Sequence, residues 1–373
     1  MHKEILKKYI NIKLKEISDK NQFRDLIVTN RKENNIVVRG NKKLISFSCN
    51  DYLLLSNNKL VIKESIKAAH KYGIGSGSSK LITGYNPLNK ILENNLAKVK
   101  NKEACIVFGS GYLANLGTIS CLAKKGDLIL IDEYSHSCSF MGSKLSSAKT
   151  ITFKHNNIKD LKNKLDINRK KFANCFILSE GVFSMDGDLS PLDKLSSLKD
   201  KYNSILIIDD AHGFGVIGNG RGSDSAFRSP IDIDVYIGTL SKSVGSYGGY
   251  VCSDKKTINY FINRCRTQIY TTGLPPPILA ASIKSLEIIK KSKSLVRKPL
   301  KNAQYFCKLM GLAAAQSPIV PLLTKSEKKA LNISRYLENN GYLIGAIRSP
   351  TVPKGTSRLR ITFNSGHSKM EIE

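Results

Sequence analysis

The 373-residue chain has no uninterrupted apolar stretch of about twenty residues, the length that a bilayer crossing demands. Its first residues, MHKEILKKYINIKLKEISDK, mix acids with bases and have no signal-peptide core. Neither a membrane span nor a leader is expected, and the reading is cytoplasmic. Eight cysteines, at positions 49, 105, 121, 138, 175, 252, 265 and 307, form no CxxC pair, and several lie inside apolar runs such as EACIVF and NCFILS. They read as reduced core residues, and the six histidines do not join them at ligand spacing, so no zinc site is expected. Internal repeats and low-complexity blocks are missing too, which argues against a solenoid. Acids are scarce: 30 Asp and Glu stand against 59 Lys and Arg, a net charge of +29. The bases are spread along the whole chain without a zinc, RNA-recognition or helix-turn-helix signature, so nucleic acid is not the expected partner. A polyanionic ligand, such as a coenzyme A ester or an acidic carrier protein, is compatible.

What is present is a hydrophobic content of 41%, sufficient for a full core. From Glu103 onward, the strand-length runs EACIVF, DLILID, NCFILS, SILIID, DVYIGT and GGYVCS alternate with amphipathic stretches. Runs that are apolar on both faces suit buried parallel strands, so the fold class is α/β with a mainly parallel central sheet flanked by helices. Residues 1–45 read as an N-terminal arm with a hairpin turning at Arg39-Gly40, 46–272 as the large domain, and 273–373 as a smaller α+β domain containing PIVPLL and RLRITF.

Three segments carry chemistry. Phe108-Gly109-Ser110-Gly111-Tyr112 lies between a strand and a helical pattern, where free backbone N–H groups can receive a phosphate, although such glycine turns are also ordinary architecture. In SILIIDDAHGFGVIGNGRG, Asp209, Asp210 and His212 stand at a buried strand end. A carboxylate there invites a cation or a protonated ring nitrogen, while the Asp/His spacing alone also fits a metal or a hydrolase triad. In DVYIGTLSKSVGSYGGYVCS, Lys242 sits near Thr239 and Ser241 at a strand's carboxyl end, where desolvation lowers a lysine pKa and frees the amine for a Schiff base.

Taken in order, SFSCNDYLLLS, GSGSSKLITGYNPL, GSGYLAN, DEYSHSC, EGVFSMDGDLSPL, DDAHGFGVIGNGRG, GTLSKSVGSYGGYV, IYTTGLPP and SPTVPKGTSRLRIT resemble the α-oxoamine synthases, pyridoxal-phosphate enzymes of aminotransferase fold type I. The resemblance implies that Lys242 anchors the cofactor and acts as base, that Asp209 pairs with the pyridinium nitrogen, that His136 stacks on the ring and that His212 bonds its phenolic oxygen. It further implies that Gly111, Tyr112, Ser184 and Thr239 line the cofactor, and that the hydroxyls of Tyr270-Thr271-Thr272 reach the phosphate of a neighbouring subunit in a homodimer. Asn50 and Arg360 are implied to hold the amino-acid carboxylate, Arg24 to face the acyl donor, and Thr351 to line the substrate pocket. Within the family, FSCNDYLLLS, EGVFSMDGDLSPL, IYTTGLPP and PTVPKGTSRLR look most like the members that join L-alanine to a pimeloyl thioester of coenzyme A or acyl-carrier protein. Glycine C-acetyltransferase, 5-aminolevulinate synthase and serine palmitoyltransferase share the cofactor machinery and remain open. Two departures, Asn89 where the family commonly has His and an end at HSKMEIE short of the usual last helix, leave room for an inactive paralogue that only binds.

Overall fold

Runs that are apolar on both faces become strands covered on both sides. The computed structural model, which describes residues 2–373, orders them as Ala104–Phe108, Gly249–Ser253, Val235–Thr239, Ile205–Asp209, Cys175–Glu180, Leu128–Asp132 and Lys149–Phe153. Side chains alternate between two cores. Leu128, Leu130, Leu206 and Ile208 pack on one face, and Ile129, Ile131 and Ile207 on the other.

Pairing is parallel from Lys149–Phe153 through Val235–Thr239. GGYVCS departs from the parallel reading: it runs antiparallel to both its neighbours, because its short link from the preceding strand turns back on itself, and hydrophobicity reports burial but not direction. The seventh strand, KTITF, was not expected. It is an edge strand whose first four residues are exposed or half-buried, so it lacks the fully apolar signature.

The hairpin Ile36–Arg39/Lys42–Ser46 forms as expected, with Gly40 at a φ of 54° in its turn. It does not stand alone: Tyr342–Leu343 joins it in parallel, beside a sheet of Ile319–Leu323, Arg358–Thr362 and Gly345–Ile347. Phe47, Val320, Leu359, Ile361 and Phe363 form the apolar centre of this smaller unit. Its middle strand, Arg358–Thr362, carries Arg360 toward the large sheet. No helix among the described residues is long and apolar enough to cross a membrane.

Candidate active site

The carboxyl ends of the parallel strands deliver Asp132, Glu180, Asp209 and Thr239, each the last residue of its strand, to one rim of the sheet. Asp209 is buried, with Oδ2 accepting from Asn115 Nδ2 at 2.7 Å and Oδ1 from the Ala211 N–H at 2.9 Å. Asn115 in turn accepts from Ser139 Oγ at 3.2 Å, so the carboxylate is held in one orientation. His212 is buried as well, and its Nδ1 lies 2.7 Å from the Tyr52 hydroxyl. Burial, and then the positive charges of Lys242 and Arg360, hold His212 well below the usual imidazole range, so its ring is neutral.

Lys242 follows the Val235–Thr239 strand and is only partly exposed. The protein around its ammonium pushes its pKa down to about 8, against the opposing pull of Asp209 and Glu180. Its Nζ has no hydrogen-bond acceptor among the described residues, which leaves the amine available. His136 caps the helix Ser137–Ser146 with Nδ1, which also lies 2.9 Å from Cys138 Sγ. Its outer side is open, yet the surrounding protein lowers its pKa and Asp209 and Lys242 act on it in opposite senses. Glu180 accepts from the backbone N–H groups of His136 at 2.5 Å and Ser184 at 3.3 Å. Burial, reinforced by Asp209, raises its carboxyl well above the usual range.

On the facing side, the buried Arg360 donates from Nε to the Ser184 carbonyl at 2.5 Å and from Nη1 to Asn50 Oδ1 at 3.1 Å. Its Nη2 is buried without a partner among the described residues. A guanidinium nitrogen in that state is costly unless an anion completes it, and a carboxylate fits.

The turn before helix Gly111–Leu122 leaves the Gly111 and Tyr112 N–H groups without acceptors among the described residues, while Ser110 Oγ caps Leu113 at 3.1 Å. A Cβ on Gly111 would lie 3.2 Å from Thr239 Cβ, and one on Gly249 would strike the Ser110 carbonyl at 2.4 Å, so both glycines let this helix start sit directly on the strand ends. Thr239 Oγ1 joins Ser241 Oγ at 2.7 Å and the Gly248 carbonyl at 2.9 Å.

Asp209, His212, Lys242, His136, Asn50, Ser184, Gly111, Tyr112, Thr239 and Arg360 are thus gathered around one cleft. Thr271 and Thr272 line a small recess with Gly109 of the same chain, next to the helix start. Arg24 and Thr351 meet each other, Nη2 to Oγ1 at 2.9 Å, on an exposed segment, and no hydrogen bond among the described residues ties them to the cleft. Glu180, Asn115 and Tyr52 belong to the site but went unnoticed in the sequence. Glu180 ends a buried strand as Asp209 does, which is the signal that points to it; Asn115 and Tyr52 sit in apolar runs that read as core.

A pyridoxal phosphate group needs an available amine, an anion for its ring nitrogen and donors for its phosphate. Lys242, Asp209 and the free N–H groups at Gly111 and Tyr112 meet these needs, so the residues present fit the cofactor.

Comparison with known proteins bears on this arrangement. Residues 42–373 match the profile of aminotransferase class I and II. The chain is 48% identical to an 8-amino-7-oxononanoate synthase of Methylocella silvestris, over 90% of this chain and 96% of that protein. It superposes on a serine palmitoyltransferase from S. paucimobilis, solved with a PLP-myriocin species bound, with a TM-score of 0.91 at 28% identity, covering 97% of this chain and 94% of that one. An 8-amino-7-oxononanoate synthase from Francisella tularensis gives a TM-score of 0.76 at 31% identity, covering 88% and 94%.

Proposed function

Because the chain belongs to the aminotransferase class I and II family, with α-oxoamine synthases among its relatives, we propose that it condenses L-alanine with a pimeloyl thioester, releasing CO2 and the free thiol to give 8-amino-7-oxononanoate for biotin synthesis. The reaction is pyridoxal-phosphate dependent. When bound, that cofactor supplies an electron sink for the pair released at the amino acid's Cα.

The chain's own residues do the rest. Lys242 anchors the cofactor and then, with its pKa lowered to about 8, takes the Cα proton and later returns one. Asp209, locked by Asn115, keeps a proton on the ring nitrogen. His212, neutral and braced by Tyr52, presents its Nε2 side to the phenolic oxygen, and His136 covers the ring face. Gly111 and Tyr112 hold the phosphate with the Thr271-Thr272 hydroxyls of a second subunit, and Thr239 and Ser184 also lie at the cofactor. Arg360 and Asn50 grip the substrate carboxylate until it leaves as CO2. Arg24 and Thr351 face the acyl donor, for which the +29 charge favours an anionic carrier, coenzyme A or acyl-carrier protein. Exposed apolar residues, among them Ile5, Leu6, Tyr9, Leu26 and Tyr270, support a homodimer, and eight free cysteines suit a reducing cytoplasm.

One observation carries the reaction class: among the described residues of a single cleft, Lys242 is left without an acceptor and Arg360 Nη2 without a partner, one for the cofactor and one for a carboxylate. The test is thiol release by the purified holoenzyme with alanine, glycine or serine against pimeloyl, acetyl and palmitoyl thioesters. Alanine with the pimeloyl donor should exceed every other pair in kcat/KM by roughly tenfold or more. Preference for glycine with acetyl-CoA would overturn the assignment.

A further inference from the structure

A histidine outside the cleft joins two of its loops. His155 follows the edge strand Lys149–Phe153, and its ring lies between two aspartates, with Nδ1 3.0 Å from Asp132 Oδ1 and Nε2 2.9 Å from Asp188 Oδ2. Both facing atoms are carboxylate oxygens, which only accept hydrogen bonds. A neutral imidazole carries one N–H and would set a bare lone pair against one of them; a ring protonated on both nitrogens donates to both. The ring plane is held by Tyr134, stacked at 4.5 Å, and by Phe183, edge-on at 4.3 Å. Asn156 repeats the bridge, giving its backbone N–H to Asp132 Oδ2 at 2.9 Å and its side-chain amide to Asp188 Oδ2 at 2.7 Å.

Each aspartate belongs to a loop of the site. Asp132 ends its strand and also accepts from the Tyr134 N–H at 2.9 Å, in the segment that leads to His136. The Asp188 carbonyl accepts from the Phe183 N–H at 3.0 Å, closing the loop around Ser184, whose carbonyl holds Arg360 Nε.

We propose that His155, as an imidazolium between Asp132 and Asp188, is a positioning residue that clamps the loop bearing His136 to the loop bearing Ser184, and so sets the stance of His136 relative to Arg360. The roles of those two residues rest on the function proposed above; the clamp itself does not depend on which acyl thioester is used. The charged environment agrees. Burial pushes the ring's pKa down, but Asp132 and Asp188 more than offset it and raise it to about 10. The remaining groups on that side are Glu133, which accepts the His155 backbone N–H at 2.9 Å, the stacked Tyr134, and the Arg358–Asp186 pair that acts on Tyr134.

The test compares the parent holoenzyme with His155→Phe, which keeps a ring between Tyr134 and Phe183 but has no N–H, and with His155→Gln, which keeps a donor for one carboxylate. Visible circular dichroism of the bound cofactor, KM for L-alanine and kcat are measured separately. His155→Phe should fold, lose about half of the cofactor ellipticity and raise KM roughly tenfold with a smaller change in kcat, and His155→Gln should fall between. A folded His155→Phe with parental ellipticity and KM overturns the clamp. Should His155→Phe not fold, Asp188→Asn decides: ellipticity that the parent keeps toward pH 10 should be lost about one pH unit lower, and an unmoved profile overturns the clamp. Because ellipticity needs no turnover, an error in the alanine and pimeloyl assignment would alter only the KM and kcat arms.

Discussion

The charges that face the cleft and those that stand behind it are paired to very different degrees. In the cleft, Lys242 Nζ has no acceptor among the described residues, Arg360 keeps an unpaired Nη2, and His212 is held neutral. Behind it, Lys100 is saturated by Asp210 at 3.3 Å, Asp224 at 2.5 Å, the Arg221 carbonyl at 3.0 Å and the Tyr236 ring at 4.1 Å. Gly222 must be a glycine for this to happen, because a Cβ there would lie 2.0 Å from Asp210 Oδ2. His155 is likewise bonded on both ring nitrogens. A saturated charge cannot receive a ligand, and a bare buried charge is tolerated only where a ligand completes it. The paired clusters brace the fold, and Lys242 and Arg360 are the groups left open to a ligand.

The contrast can be broken from either side. On the cleft side, Lys242→Ala should retain the fold and lose thiol release by roughly 10^4-fold or more, since it removes the proposed anchor and base together. On the other side, Lys100→Met should cost about 3–5 kcal/mol in denaturant unfolding, because it strands Asp210, whose carboxyl is already pushed up to about 6 by burial despite the nearby cation. Arg360→Lys keeps the charge but not the planar fork; KM for the amino acid should rise by a factor worth about 2 kcal/mol, with kcat changed less.

His155 sharpens the comparison through pH. Its folded pKa, about 10, lies above that of a free imidazole, so its contribution to stability is complete below about 6.5 and is lost as pH rises through 10. The unfolding free energy from urea titration should therefore fall between pH 7 and 10 by at least ~1–2 kcal/mol more in the parent than in His155→Phe. The smallest effect is expected at Asn89. Its Oδ1 accepts the Asn86 N–H at 3.0 Å in a capping box at the start of helix Pro87–Lys100, so Asn89→Ala should cost about 1 kcal/mol of stability and leave KM unchanged.

The same contrast governs what could be read from the sequence. Strand-end residues such as Asp209 and Lys242 were visible because polar groups interrupt apolar runs next to glycine turns, and the ordered segments carried a family resemblance. The bracing residues gave no such signal. Lys100 is one of many lysines at a helix end, and only the fold brings it to Asp210 and Asp224, more than a hundred residues away in sequence. His155 follows KTITF, whose half-exposed pattern hides the strand that positions it. Strand direction was not legible in GGYVCS either, since buried parallel and antiparallel strands are equally apolar. Arg360 sat in RLRITF beside Arg358, and sequence alone could not show that Arg358 would be taken by Asp186 at 2.5 Å while Arg360 kept a free nitrogen.

The claim that Lys242, in a strongly basic chain, holds the cofactor has a direct measurement. Holoenzyme reduced with borohydride, digested and mapped by mass spectrometry should carry the cofactor mass on the peptide containing Lys242, and on no peptide of the Lys242→Ala protein. Label on a saturated lysine such as Lys100, or label that survives Lys242→Ala, would contradict the account.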